Sequence, residues 1–125
     1  SDLDIICSFD DPSEFQQKLE GLFSNQKNFS CYQTNQEEVI GRFDFCDFVC
    51  EIYGHRMPSY QQNAYLHMLK ENEILKAYGE GFRKRILELK TGGYKTEPAF
   101  ARALDLKGDP YKALLDYKVD PHFKL

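Results

Sequence analysis

Apolar and polar positions change their period once along this chain. Near the start, Leu3, Ile5 and Cys7 alternate with Asp2 and Asp4. That is the two-residue period of a strand, and it predicts a buried strand over residues 2–9. Asp11-Pro12-Ser13-Glu14 then reads as a helix start, with an Asp cap, Pro in the first turn and Glu at the capping-box position. Phe15, Leu19, Leu22 and Phe23 recur at helical spacing, which carries that helix to about residue 24. A short strand is expected near residues 29–34. Val39, Gly41, Phe43 and Phe45 alternate with Ile40, Arg42 and Asp44, and a second apolar run spans Phe48 to Tyr53. Only Cys46-Asp47 separates the two, so they read as a hairpin, on weaker turn chemistry than Asn-Gly. Gly54 and Pro58 close this part.

Beyond Pro58 the period becomes helical. A helix from about Tyr60 to Tyr78 is expected to turn Ala64, Tyr65, Met68, Leu69, Asn72 and Leu75 inward. Gly79 and Gly81 interrupt it, a further helix runs to about Lys90, and Gly92-Gly93 stops that one. Thr96-Glu97-Pro98 caps another helix, with Phe100 and Leu104 inward. Asp109-Pro110 caps a last short one that carries Tyr111, Leu114 and Leu115. The fold class is therefore α+β, a mixed sheet followed by helices. The expected organisation is one domain over residues 1–125, with a sheet half at 1–54, a helical half at 59–117 and a tail at 118–125. The opening strand starts at once and no initiator Met precedes it, which predicts a chain lacking an N-terminal part.

Composition narrows the class of function. Eighteen aromatic residues, ten Phe and eight Tyr, favour a packed core over disorder. A net charge of −4 gives no general attraction to a nucleic-acid backbone, and Arg83-Lys84-Arg85 is too short a basic run to reverse that. No run approaches the roughly 20 apolar residues of a membrane span, and no signal peptide opens the sequence. Cys7, Cys31, Cys46 and Cys50 form no Cys-x-x-Cys pair, and His55, His67 and His122 lack zinc-ligand spacing with them. The cysteines read as reduced core residues, and the expected location is cytoplasmic.

The candidate chemistry lies in the acids. Asp2 and Asp4 share one strand face. Two such carboxylates repel each other unless a positive charge sits between them, and a divalent metal carrying a phosphorylated substrate would supply it. Glu51, in the middle of an otherwise apolar strand, is the best third acid if its strand lies beside the first. The simpler alternatives are two solvated acids near a terminus, and a Glu51 paired with Arg42 across the hairpin. Asp44 and Asp47 are poorer candidates. Arg56, just past the Glu51 strand, could neutralise a phosphate or be a plain surface residue. Asn63, His67 and Glu71 are spaced by four along one helix face. They could line a cleft, with His67 as a base or a ribose contact, or form an exposed polar stripe.

Ser1-Asp2-Leu3-Asp4-Ile5-Ile6, with a later strand carrying Glu51, resembles the nucleotidyltransferase superfamily of polymerase-beta-like fold. The helical half carries Gln62-Asn63-Ala64-Tyr65 with His67-Met68, then Gly93 through Ala101, then Gly108-Asp109-Pro110-Tyr111 with Ala113-Leu114-Leu115. These segments resemble a bacterial family within that superfamily, domain of unknown function 4269. The resemblance implies a nucleotidyltransferase-like mixed sheet, with Asp2, Asp4 and Glu51 as catalytic and metal-binding acids. It also implies Mg²⁺, a nucleoside triphosphate, and transfer of a nucleoside monophosphate to a hydroxyl acceptor. The superfamily's Gly-Ser turn ahead of the Asp-x-Asp strand, which would hold the triphosphate, has no counterpart in this sequence. Two further classes stay open: a non-catalytic nucleotide-binding or protein-interaction module on a degenerate fold, and a structural domain that dimerises through its aromatic helical half.

Overall fold

A computed structural model describes residues 2–125. The chain forms two compact units, one ending at Gln62 and the other running from Asn63 to Leu125. The described residues contain four strands and four α-helices, an α+β fold with a mixed four-stranded sheet.

The first unit holds β1 (Asp2–Ser8), α1 (Pro12–Phe23), β2 (Lys27–Gln33), β3 (Val39–Phe45) and β4 (Phe48–His55). The sheet order is β1-β4-β3-β2, with β1 parallel to β4 and the other two pairings antiparallel. α1 starts as its sequence dictates: the Glu14 N–H donates to the Asp11 carboxylate at 2.9 Å, and Pro12 occupies the first turn. The helix packs on one sheet face over two glycines. A Cβ on Gly41 would stand 3.0 Å from Leu19 Cδ1, and one on Gly54 would stand 2.5 Å from Phe15. Leu19, Val39, Phe43, Cys50 and Ile52 form the buried core beneath it, and Phe23 stacks on Phe43 with ring centroids 4.7 Å apart.

Two expectations for this unit change. The first strand is not buried: β1 is a sheet edge, α1 sits mainly over β2 and β3 at the other side of the sheet, and Leu3 and Ile5 stay 48% and 41% exposed. Nor are all four cysteines in the core. Cys50 is buried and Cys7 and Cys31 are half-buried, while Cys46 is exposed at the hairpin turn with φ +55°. A two-residue loop needs a left-handed position, and Cys46 supplies it.

The second unit holds α2 (Asn63–Thr91), α3 (Thr96–Ala103) and α4 (Pro110–Asp116). The predicted break falls at Gly79, which leaves helical geometry at φ +80° and ψ −168°. The inner stripe of the first half is offset from the expected one. Met68 and Leu69 are exposed and His67 and Ile74 are buried, because the core accepts a polar His67 whose hydrogen bond is satisfied inside it. Past the break Phe82, Ile86 and Leu89 keep the i, i+4, i+7 spacing and pack with Ile74, Phe100, Leu104 and Leu114. α3 takes Thr96 as its first residue, with Lys95 at the cap position and no side-chain cap bond. α4 is capped by the Asp109 carboxylate, which accepts from the Tyr111 N–H at 3.0 Å.

Candidate functional site

The β1–β4 pairing sets the position of the acids. In its parallel register Asp4 lies opposite Glu51, and Asp2 lies opposite Val49. Across the next pairing Glu51 lies opposite Arg42, and Arg42 in turn opposite Ser30. One row thus crosses the whole sheet as Asp4, Glu51, Arg42, Ser30. Neighbouring strands are spaced about 4.8 Å apart, so Asp4 and Glu51 are direct neighbours, and Asp2 follows about 7 Å along β1. Strand alternation puts all of these on the face opposite α1, since Cys50, Ile52 and Gly41 point toward the helix.

Charge on this face is partly matched. Arg42 Nη1 donates to Glu51 Oε2 at 3.1 Å, an ion pair with side chains 54% and 39% exposed. The cross-hairpin pairing is therefore real, and it coexists with Asp4 on Glu51's other side. Arg42 carries a larger part in the site than the sequence assigned it. The signal was available: Arg42 and Glu51 follow from a two-residue turn at Cys46-Asp47 by counting back equally on both strands. Asp44, one row along, accepts from Asn28 Nδ2 at 2.7 Å. Further up β4, the Tyr53 hydroxyl donates to Glu38. Burial, that hydrogen bond and the Glu38 charge push the Tyr53 phenol up to about 12.

Asp2, Asp4 and Glu51 share a face without gathering into a tight metal centre. Among the described residues no three His, Cys, Asp or Glu side chains come close enough to hold an ion. Their donor chemistry does fit Mg²⁺, which takes oxygen ligands and is held by one or two carboxylates together with substrate phosphates.

The other sequence candidates separate. Arg56, in the first unit, donates from Nε to Glu37 at 3.3 Å and from Nη1 to the Asp10 carbonyl, tying the loop after β1 to the turn before β3. His55 accepts the Met57 N–H on Nδ1 at 2.9 Å. Asn63 and His67 belong to the second unit. Asn63 is exposed. His67 is 6% exposed, its Nε2 donates to the Tyr111 carbonyl at 2.8 Å, and it holds α4 to α2. Glu71, one turn on, is half-buried, and its Oε2 has no partner. Burial first, then the nearby Glu97 charge, push the Glu71 carboxyl up to about 7, against the lowering effect of Lys90. Asn63, His67 and Glu71 thus do not form an exposed stripe.

Among the described residues no helix is long and apolar enough to cross a membrane. Comparison with known families finds a match to the family described as "Domain of unknown function (DUF4269)" over residues 1–117. No curated protein and no solved structure matches the chain.

Proposed function

The chain belongs to the DUF4269 family, and on that premise we propose that it is a nucleotidyltransferase-like protein, transferring a nucleoside monophosphate from a triphosphate to a hydroxyl acceptor with Mg²⁺. One observation carries the reading: Asp4 of the Asp-x-Asp strand lies opposite Glu51 in parallel register, with Asp2 on the same face, opposite the one that α1 covers. A family match without an assigned activity supplies no reaction, so the reaction class rests on these residues and on the motif they resemble.

Asp2 and Asp4 are exposed and sit at the free edge strand, where triphosphate oxygens can complete the coordination they begin. Bound there, Mg²⁺ supplies charge neutralisation of the phosphates and acidification of the acceptor hydroxyl. Arg42 fixes the Glu51 carboxylate through Oε2. The Oε1 atom is then the oxygen available to take the acceptor proton. Arg42 also places a positive charge two strands from Asp4 on the same sheet face.

A second reading is favoured by one specific observation. The Arg42–Glu51 ion pair neutralises the third acid, and the acids do not cluster as three metal ligands among the described residues. A non-catalytic nucleotide-binding or protein-interaction module, built on the same fold, would tolerate both. Incubating the protein with Mg²⁺ and each labelled nucleoside triphosphate in cell extract separates the two. Label passing to some component with the parent but not with Asp2→Ala/Asp4→Ala establishes the transferase. Mg²⁺-dependent nucleotide affinity without transfer establishes the module, and neither affinity nor transfer removes both.

A further inference from the structure

The segment from Tyr117 to Phe123 meets α2 at the one place where that helix loses its geometry. Gly79 adopts φ +80° and ψ −168°, a region essentially closed to residues with a side chain. Tyr78, just before it, is held in three ways. Its hydroxyl shares a hydrogen bond with the Tyr117 hydroxyl, it accepts the Asp120 N–H at 2.8 Å, and its ring stacks on Phe123 with centroids 4.3 Å apart and planes at 10°. Phe82, just beyond the break, meets the same Phe123 ring edge-on at 5.8 Å. A single aromatic side chain therefore touches α2 on both sides of Gly79. Lys70, two turns earlier, anchors the start of the segment by donating to the Tyr117 carbonyl at 2.6 Å.

The segment is shaped by its own bonds. The His122 N–H donates to the Asp120 carboxylate at 2.9 Å, and the Phe123 N–H donates to the Asp120 carbonyl at 3.1 Å, which forms a turn around Pro121. A cavity of about 190 Å³ remains between this turn and the helix, next to Gly81. Tyr117, Val119 and Phe123 pack on the outside of the helical core as half-buried side chains, so the segment lies over the core with an open cleft beside it. In contrast, Ile74, Phe100 and Leu114 are at most 2% exposed and interlock α2, α3 and α4 without it. Residues 118–123 also lie beyond the region matched by the family, 1–117.

We propose that residues 117–123 are a clamp that steadies the Gly79 break in α2 against local opening. Released, it frees the backbone of the turns beside Gly79, while Ile74 before the break and Phe82 and Ile86 after it stay packed on Phe100, Leu104 and Leu114. A backbone position with glycine's freedom can absorb the change in dihedral angles. The restraint on it comes from the Tyr78–Phe123–Phe82 contacts.

Hydrogen exchange on the full chain tests this. Phe123→Ala should speed exchange about tenfold or more at amides 75–78 and 84–86, the turns flanking Gly79, and leave amides 100–104 unchanged. Tyr78→Phe, which keeps the stack and loses the hydroxyl bonds, should quicken the same flanking amides by a smaller factor. Unchanged exchange beside Gly79 in Phe123→Ala would overturn the proposal. So would an equal rise at 100–104, or outright unfolding of the unit, because the segment would then be part of the core rather than a clamp upon it.

Discussion

On the sheet, Asp2 and Asp4 stand exposed beside Glu51, and the only matched charge in their row is an ion pair more than a third exposed on both sides. In the helical unit the same kinds of side chain are used up internally. His67 is buried on a backbone carbonyl, Lys70 reaches the Tyr117 carbonyl, and Glu71 is set against Glu97. Burying a polar group is costly unless its bonds are made inside, so His67 and Lys70 are committed to holding the unit together, and Glu71 bears the cost as a raised pKa. The sheet's acids are committed to nothing comparable. Polar residues at helical spacing are therefore poor guides to chemistry here, and acids on an uncovered strand face are better ones.

This contrast makes stability the first place to break it. Phe100→Ala, in the core of the helical unit, should cost about 3–5 kcal/mol, while Asp4→Ala should stay within about 0.5 kcal/mol of the parent by urea denaturation. A large loss in Asp4→Ala would mean that the sheet acid is structural after all. His67→Ala comes next. It leaves the Tyr111 carbonyl unpaired and a void between α2 and α4, and should cost about 2–3 kcal/mol. If instead His67→Ala were neutral in stability but abolished nucleotide transfer, the assignment of His67 to structure would fail.

Glu71 sharpens the same comparison through pH. Its carboxyl titrates near 7 in the folded protein, against an ordinary value of 4.5. The folded state therefore holds the proton more tightly than the unfolded chain. Its contribution is fully present below pH 4.5 and is lost as pH rises through 7. The group is partly solvated, so screening brings the expected loss down to about 1–2 kcal/mol. Glu71→Gln should flatten that slope in urea midpoints measured from pH 4.5 to 8. A slope that persists unchanged in Glu71→Gln assigns the titration elsewhere.

Most of the fold was legible in the sequence because local signals agreed with it. Asp11-Pro12 starts α1, Asp109-Pro110 starts α4, the alternation in residues 39–45 is β3, and Gly79 marks the break in α2. The errors came from burial, which depends on partners distant in sequence. The run Leu3-Asp4-Ile5 reads as a buried strand, yet its strand became an edge because β4 took one side and nothing in the sheet took the other. Met68 and Leu69 read as inward because they are apolar, yet a histidine with a waiting carbonyl displaced that stripe. For the site, the shared face of Asp2 and Asp4 follows from strand period alone. The Arg42–Glu51 pair follows from the two-residue turn, but that Asp4 meets Glu51 required a β1–β4 pairing which no local signal encodes.

The smallest effect expected bears most directly on the site. The Arg42 and Glu51 side chains both keep more than a third of their surface in solvent, so a double-mutant cycle of Arg42→Ala and Glu51→Ala should give a coupling of only about 0.2–1 kcal/mol. A weak coupling means that Glu51 spends little on Arg42 and can turn to an acceptor proton at small cost. Under that outcome Arg42→Ala should lower nucleotide transfer by loosening the Glu51 carboxylate, while Glu51→Ala should lower it further. A coupling well above about 1 kcal/mol would mean that the pair is desolvated and locked. Glu51 would then belong with His67 and Glu71 among the polar residues consumed by structure, and the sheet face would retain only Asp2 and Asp4. Two acids at a sheet edge, with the third neutralised, describe a nucleotide-binding module better than a transferase. The cycle therefore discriminates between the two readings by a measurement on the folded protein alone, before any acceptor is known.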